Sequence, residues 1–263
     1  MSSSWNSMVE VMTPGSRALL VDVGNSVVKT RGWSRATGLQ PAVFWPVDDS
    51  LDPHAVLGGE FDGAVMAAVV PAVAARLRDQ AARVGLPLHE VVPASAESTV
   101  RIRGLYPSMG ADRVADIIAL AKFSRLPALC VDAGTAVTVD LVAEDGEYVG
   151  GLILPGATLM ARSLAEGTAR LPLVGPGDHE LALARATTSA IAVGSHWGCI
   201  AMIGGLLNLL EARGYRWRTL VLTGGFSPRI SPCLSRDHHV DLDLCFKGLA
   251  IVWEAMHAGA HTG

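Results

Sequence analysis

With 263 residues, 50% of them apolar and only 17% charged, the chain can bury an extensive core, which excludes the disordered and low-complexity classes. A formal net charge of -4 gives no electrostatic reason to expect nucleic acid or an anionic membrane as partner. Four cysteines, Cys130, Cys199, Cys233 and Cys245, stand far apart with neither Cys-x-x-Cys nor metal-ligand spacing, a pattern of buried thiols in a reducing cytoplasm rather than of disulfides or zinc.

The chain begins with a Ser-rich stretch over 1–16 that holds Glu10 where a signal peptide would carry a basic region, and it is expected to be a disordered leader. Arg17 to Trp33 reads as two strands joined by a loop at Gly24-Asn25-Ser26. Lys29, one of only three lysines, follows that loop and suits either a phosphate contact or an exposed strand cation. Val43-Phe44-Trp45 predicts a further strand, Ala64 to Val70 a central one, and Leu88 to Val92 another. Between the last two, Pro71 opens a helix with Arg76, Arg78 and Arg83 on its wet side. Strands alternating with helices imply a layered α/β fold.

Gly110-Ala-Asp-Arg113 leads into apolar residues at helical spacing, Val114, Ile117, Ile118 and Ala121. Asp112 at such a helix start has two readings: a cap that satisfies free amides, or a base beside Arg113 that accepts a hydroxyl proton. Leu129 to Asp140 then runs strand, Asp-x-Gly turn, strand, and repeats the pattern of Leu19 to Lys29 with Asp132 on Asp22, Gly134 on Gly24 and Thr135 on Asn25. A carboxylate beside exposed turn amides suits a hard cation and phosphate oxygens, so the echo suggests a duplicated unit grasping one phosphorylated ligand.

Glu147 to Gly156 reads as a strand ending in a Pro-Gly turn, followed by a helix over Ala157 to Leu164, an ordered loop from Glu166 to Pro172, and a mobile connector that begins at Gly175-Pro-Gly177 and ends near Ala186. From Ala186 to Leu210 there is no Asp, Glu, Lys or Arg, which is the length of a membrane span. Interrupting hydroxyls, His196, Asn208 and four glycines argue instead for a helix buried between domains or subunits. Thr187-Thr-Ser189 either caps this helix or faces a ligand. Thr219 to Ser227 is a buried strand entering Thr223-Gly224-Gly225, a turn that fits either a flat ring or ribose against backbone, or a plain strand-to-helix connection. Leu242 to Met256 closes the chain as an extended stretch and a helix.

In order along the chain, Asp22-x-Gly24-Asn25, Gly110-Ala-Asp-Arg113, Asp132-x-Gly134-Thr135-Ala136, Gly150-Gly151 to Pro155-Gly156, Glu166-x-Thr168-Ala169-x-Leu171-Pro172 and Thr223-Gly224-Gly225 resemble the type III pantothenate kinase family. The resemblance implies two ribonuclease-H-like domains of the actin, hexokinase and Hsp70 superfamily, over 17–124 and 125–263, with the active site in the cleft between them. It implies ATP as phosphate donor to pantothenate in the first step of coenzyme A synthesis, with Mg2+, a monovalent cation (K+ or NH4+), a cytoplasmic homodimer, and neither nucleic acid nor membrane as partner. Carried over to matching positions, Asp22, Val23, Gly24, Asn25, Ser26, Val27, Val28 and Lys29 would form the ATP phosphate loop, with Asp22 near the magnesium and Thr135 on the phosphates. Asp112 would be the catalytic base, Gly110, Ala111, Asp112, Arg113 and Thr187 would bind pantothenate, and Asp132 would hold the monovalent cation. Two departures from the family pattern stand out: Ala186 replaces an Asn, leaving Thr187 and Thr188 one register apart, and Tyr106 precedes Gly110 by an unusually short interval. Two other functions remain open at this level: a non-catalytic, nucleotide-binding regulator like the Bvg accessory factors of the family, or a kinase of the superfamily acting on another small alcohol.

Overall fold

The computed structural model describes residues 16–258 except 176 and 178. The leader expected over 1–16 therefore lies outside the described residues save Ser16, which is buried. The chain divides into two compact units, one running to Phe123 and resuming at Asp243, the other spanning Ser124–Leu242.

The first unit opens with β1 (Arg17–Val23) and β2 (Val27–Ser34), an antiparallel hairpin in which Asp22 faces Lys29 across the ladder. The hairpin forms because β1 is apolar almost throughout, while Gly24 closes the turn by donating its amide to the Val27 carbonyl at 3.1 Å. Short β3 (Gly38–Leu39) and β4 (Val43–Pro46) both pair with β2, and α1 (Pro53–Val56) is capped by Asp52, whose carboxylate accepts from the His54 amide. Next, β5 (Gly63–Ala68) lies parallel to β1, α2 (Pro71–Val84) ends at Gly85 in the left-handed region, and β6 (Leu88–Glu90) lies parallel to β5. The sheet order is β3-β2-β1-β5-β6. Pro93 opens α3 (Pro93–Val100), and α4 (Ala111–Phe123) follows the Gly110 loop.

The second unit repeats this plan. Antiparallel β7 (Ala128–Ala133), β8 (Ala136–Val142) and β9 (Tyr148–Pro155) form a meander, followed by α5 (Ala157–Gly167), α6 (Thr187–Ala212) and β10 (Thr219–Thr223), which lies parallel to β7. A short α7 (Ser227–Ile230) leads to β11 (His239–Val240), parallel to β10. The order β9-β8-β7-β10-β11 matches the main path of the first sheet, which carries β4 as an additional strand on β2, and it places Asp22 and Asp132 at equivalent ends of their first strands. Leu129, Val131, Val137 and Val139 pack one face of this sheet against Cys199, Ile200, Ile203 and Leu207 of α6. This helix, uncharged as far as Leu210, thus gives one face to the core of its own unit. On its remaining surface Gly194, Gly198 and Gly205 look into open space.

The last helix, α8 (Leu244–Ala258), belongs to the first unit, which corrects the expected extent of 125–263 for the second domain. It packs on α4, and Gly248 makes the approach possible: a Cβ there would sit 2.0 Å from the Ala115 carbonyl oxygen. That obstacle is backbone, so Gly248→Ala must push two helices apart and is expected to cost about 1–3 kcal/mol. For a unit of this size thermal denaturation should show a fall of roughly 2–4 °C for each kcal/mol. An unchanged melting temperature would contradict the close helix contact.

Candidate active site

In the first unit the site is built on strand ends. Asp22 is buried at the end of β1, and Lys29 Nζ approaches its Oδ2 at 3.1 Å while the lysine side chain stays 37% exposed. A cation on a neighbouring strand thus compensates a carboxylate withdrawn from water. Asn25 and Ser26 stand exposed at the turn, and the Ser26 carbonyl accepts from the Val47 amide at 3.2 Å. The Gly110 loop reaches the same sheet end: a Cβ on Gly110 would meet Val69 Cγ1 at 3.6 Å, and the Val69 amide donates to the Val23 carbonyl at 3.0 Å.

Asp112 lies in the first turn of α4, where an acidic residue complements the helix dipole. Its Oδ1 accepts from the Arg113 amide at 2.8 Å, which fixes the orientation of the carboxylate. Arg113 is buried to 5% exposure, donates to the Tyr106 hydroxyl and lies 5.8 Å from the centre of that ring. Tyr106 is therefore part of the Arg113 environment, a link its short spacing from Gly110 did not disclose. Asp116 follows Asp112 by one helical turn and is also buried. Helical spacing alone could have brought it to notice.

Cys245, at the start of α8, was not legible as a neighbour of this group. Burial pushes its thiol well above the ordinary range, and the carboxylates of Asp22, Asp116 and Asp112 push it further, with Lys29 opposing. Burial likewise raises the Cys199 thiol. Since the thiolate is the nucleophile, iodoacetamide at neutral pH is expected to modify exposed Cys233 first and to spare Cys245. Mass spectrometry of a timed reaction checks this, and equal rates at the two sites would contradict it.

Three turns meet at the corresponding end of the second sheet. The Asp132–Thr135 turn is closed by the Gly134 amide on the Ala136 carbonyl at 3.0 Å. Gly156 donates to the Thr135 carbonyl at 3.0 Å, and a Cβ on it would collide with the Gly134 carbonyl oxygen at 2.3 Å. Gly224, at φ +82°, lies so close that a Cβ would fall 2.2 Å from Asp132 Oδ1, while the Phe226 amide donates to the Ala133 carbonyl at 2.9 Å. The motifs at Asp132, Gly156 and Thr223–Gly225 thus form one glycine-lined cradle around the Asp132 carboxylate.

Thr187 is the first residue of α6 and is exposed, as is Thr188. Of the two readings of these hydroxyls, capping is not the one seen: the cap position is Ala186, with no side-chain hydrogen bond. Past α5, Thr168 Oγ1 donates to the Leu164 carbonyl at 2.7 Å and accepts from the Leu171 amide at 3.3 Å, which orders the loop before Pro172.

Two sheets that share a strand order, each ending its first strand in an Asp-x-Gly turn, give the fold of the actin, hexokinase and Hsp70 superfamily. Among solved structures, a Baf family transcriptional activator from Campylobacter jejuni matches with a TM-score of 0.57 at 21% identity over 90% of this chain and 97% of that one. The activator of 2-hydroxyisocaproyl-CoA dehydratase from Clostridium difficile, with bound ADPNP, matches with a TM-score of 0.50 at 10% identity over 95% and 98%. At these identities the likeness concerns the fold alone. The family model for type III pantothenate kinase matches residues 18–208. Type III pantothenate kinases from Acidiphilium cryptum (34% identical over 89% of this chain and 93% of the relative) and Thermomicrobium roseum (28% over 91% and 97%) align along nearly the whole length. The chain belongs to the type III pantothenate kinase family, a family of phosphotransferases with an alcohol acceptor.

Proposed function

We infer that the chain transfers the γ-phosphoryl group of ATP to the primary hydroxyl of pantothenate, giving 4'-phosphopantothenate in the first step of coenzyme A synthesis. The observation that carries this reading is the family match over residues 18–208, which takes in every candidate residue from Asp22 to Thr187. Phosphoryl transfer asks a protein chiefly for positioning and charge neutralisation, and the residues supply both. Residues 22–29 hold the phosphates, with Lys29 as the cation and the turn amides as donors. Thr135 adds a hydroxyl to the phosphates. Asp112, its carboxylate oriented by the Arg113 amide, accepts the proton of the attacking hydroxyl. Arg113 and the Gly110–Ala111 backbone hold the carboxylate region of pantothenate, and Thr187 touches the same substrate.

Among the described residues no three His, Cys, Asp or Glu side chains converge as a metal cage. This fits magnesium that arrives on the nucleotide and takes one protein carboxylate, Asp22, since that ion retains water and phosphate oxygens readily. The Asp132 carboxylate, against which the Gly224 turn packs closely, would hold the monovalent cation. Held there, the two ions would supply positive charge to the phosphates. The protein acts in the cytoplasm as a homodimer, and the dimer is supported by the exposed, uncharged glycines of α6 at Gly194, Gly198 and Gly205.

A panel of alcohols offered with magnesium ATP tests substrate choice. ADP release is expected with pantothenate and to remain at background with glucose, glycerol and N-acetylmannosamine. Turnover confined to a sugar would overturn the choice of acceptor.

A further inference from the structure

Two neighbouring side chains of α6 hold the connector that precedes that helix. Trp197 Nε1 donates to the His179 carbonyl at 2.8 Å, and His196 Nδ1 lies 3.1 Å from the Gly177 carbonyl. A carbonyl only accepts, so the proton of that bond sits on Nδ1. His196 is buried, and its ring stands edge-on to Phe226 with centroids 5.2 Å apart. The Phe226 amide in turn bonds the Ala133 carbonyl, next to Asp132. A continuous set of contacts therefore runs from the Asp132 turn through Phe226 and His196 to the backbone of the connector, whose last residue delivers Thr187.

We propose that His196 is a positioning residue for pantothenate: by holding Gly177 while packed on Phe226, it fixes the approach to Thr187 relative to the Asp132–Thr135 turn. The proposal rests on the reading of Thr187 as a pantothenate contact. Two properties of His196 are used together, a donor that reaches the carbonyl and a flat ring that meets Phe226. They separate by substitution, because Phe keeps the ring without the donor, whereas Asn presents an amide donor at nearly the place of Nδ1. A histidine that merely filled the core would show its loss in stability and in all kinetic constants together.

Steady-state kinetics and timed trypsin digestion of the full chain with His196→Phe, His196→Asn and Thr187→Val test the proposal. His196→Phe is expected to raise KM for pantothenate by about 5–10-fold, the size of one lost neutral hydrogen bond. Its kcat and KM for ATP should stay within about twofold of the parent, as an effect on substrate binding alone requires. Cleavage after Arg185 in the connector should accelerate. His196→Asn should recover most of the KM change. An unchanged pantothenate KM in His196→Phe, or a loss spread equally over kcat and both KM values, would overturn the proposal, as would His196→Asn behaving like His196→Phe. A Thr187→Val variant with the parent KM would remove only the Thr187 contact if His196→Phe still raises KM, so the two failures are distinguishable.

Discussion

Asp112→Asn is expected to lower kcat by about 10²–10⁴-fold, the usual contribution of a positioned general base, while ATP affinity stays close to the parent value. The amide matches the carboxylate in shape and can still accept from the Arg113 amide that orients Asp112 at 2.8 Å, so the start of α4 has no reason to rearrange. What it loses is the capacity to take a proton, the role proposed for Asp112 toward the pantothenate hydroxyl. The residues assigned to the nucleotide, Asp22 through Lys29, lie on the β1–β2 hairpin and are untouched. If Asp112 served only as a helix cap, the substitution would lower stability by at most about 1 kcal/mol and leave turnover nearly intact. Nucleotide titration with single-turnover product measurement separates the two roles.

Gly224→Ala carries the second large effect. At φ +82° an L-residue meets its own carbonyl, a penalty of roughly 1–2 kcal/mol, and the new methyl carbon would stand 2.2 Å from Asp132 Oδ1 and 2.6 Å from the Ala133 carbonyl carbon. Overpacking of that kind adds about 1–3 kcal/mol. The turn and Asp132 cannot both keep their places. A lower melting temperature is expected together with a weakened response of turnover to potassium, because the displaced group is the carboxylate assigned to the cation. The adjacent Gly225→Ala is the control, since a Cβ there has nothing within 4 Å. If both variants melt alike and respond alike to potassium, the cradle around Asp132 is not as described.

The parts of this molecule that could be read in advance are those whose signal is local. Asp22-x-Gly24 and Asp132-x-Gly134, each between apolar strand residues, announced two hairpins, and the matching strand orders of the two sheets bear out the duplication. Strands and helices set by alternation or by an opening proline, such as β5 and α2, also lie where periodicity put them. Two-residue β3 and four-residue α1 fall below what periodicity can detect, and α3 is a short run of small and polar residues with little apolar pattern. Destination is a different matter from type. The final helix was legible as a helix, but it is apolar on most of its surface, and nothing local says that Gly248 will press on Ala115 of the first unit. Chain order suggested the second unit instead. The same reasoning explains the site: Asp112 and Arg113 are neighbours in sequence, whereas Cys245 joins the carboxylates, and Gly224 joins Asp132, only through tertiary approach.

Incubating the purified chain with pantothenate, ATP, magnesium and potassium, and resolving the products by mass spectrometry, tests the central claim most directly. The account predicts 4'-phosphopantothenate in equal amount to the ADP formed, with none when pantothenate is omitted. ATP bound or hydrolysed while no phosphopantothenate appears would contradict it.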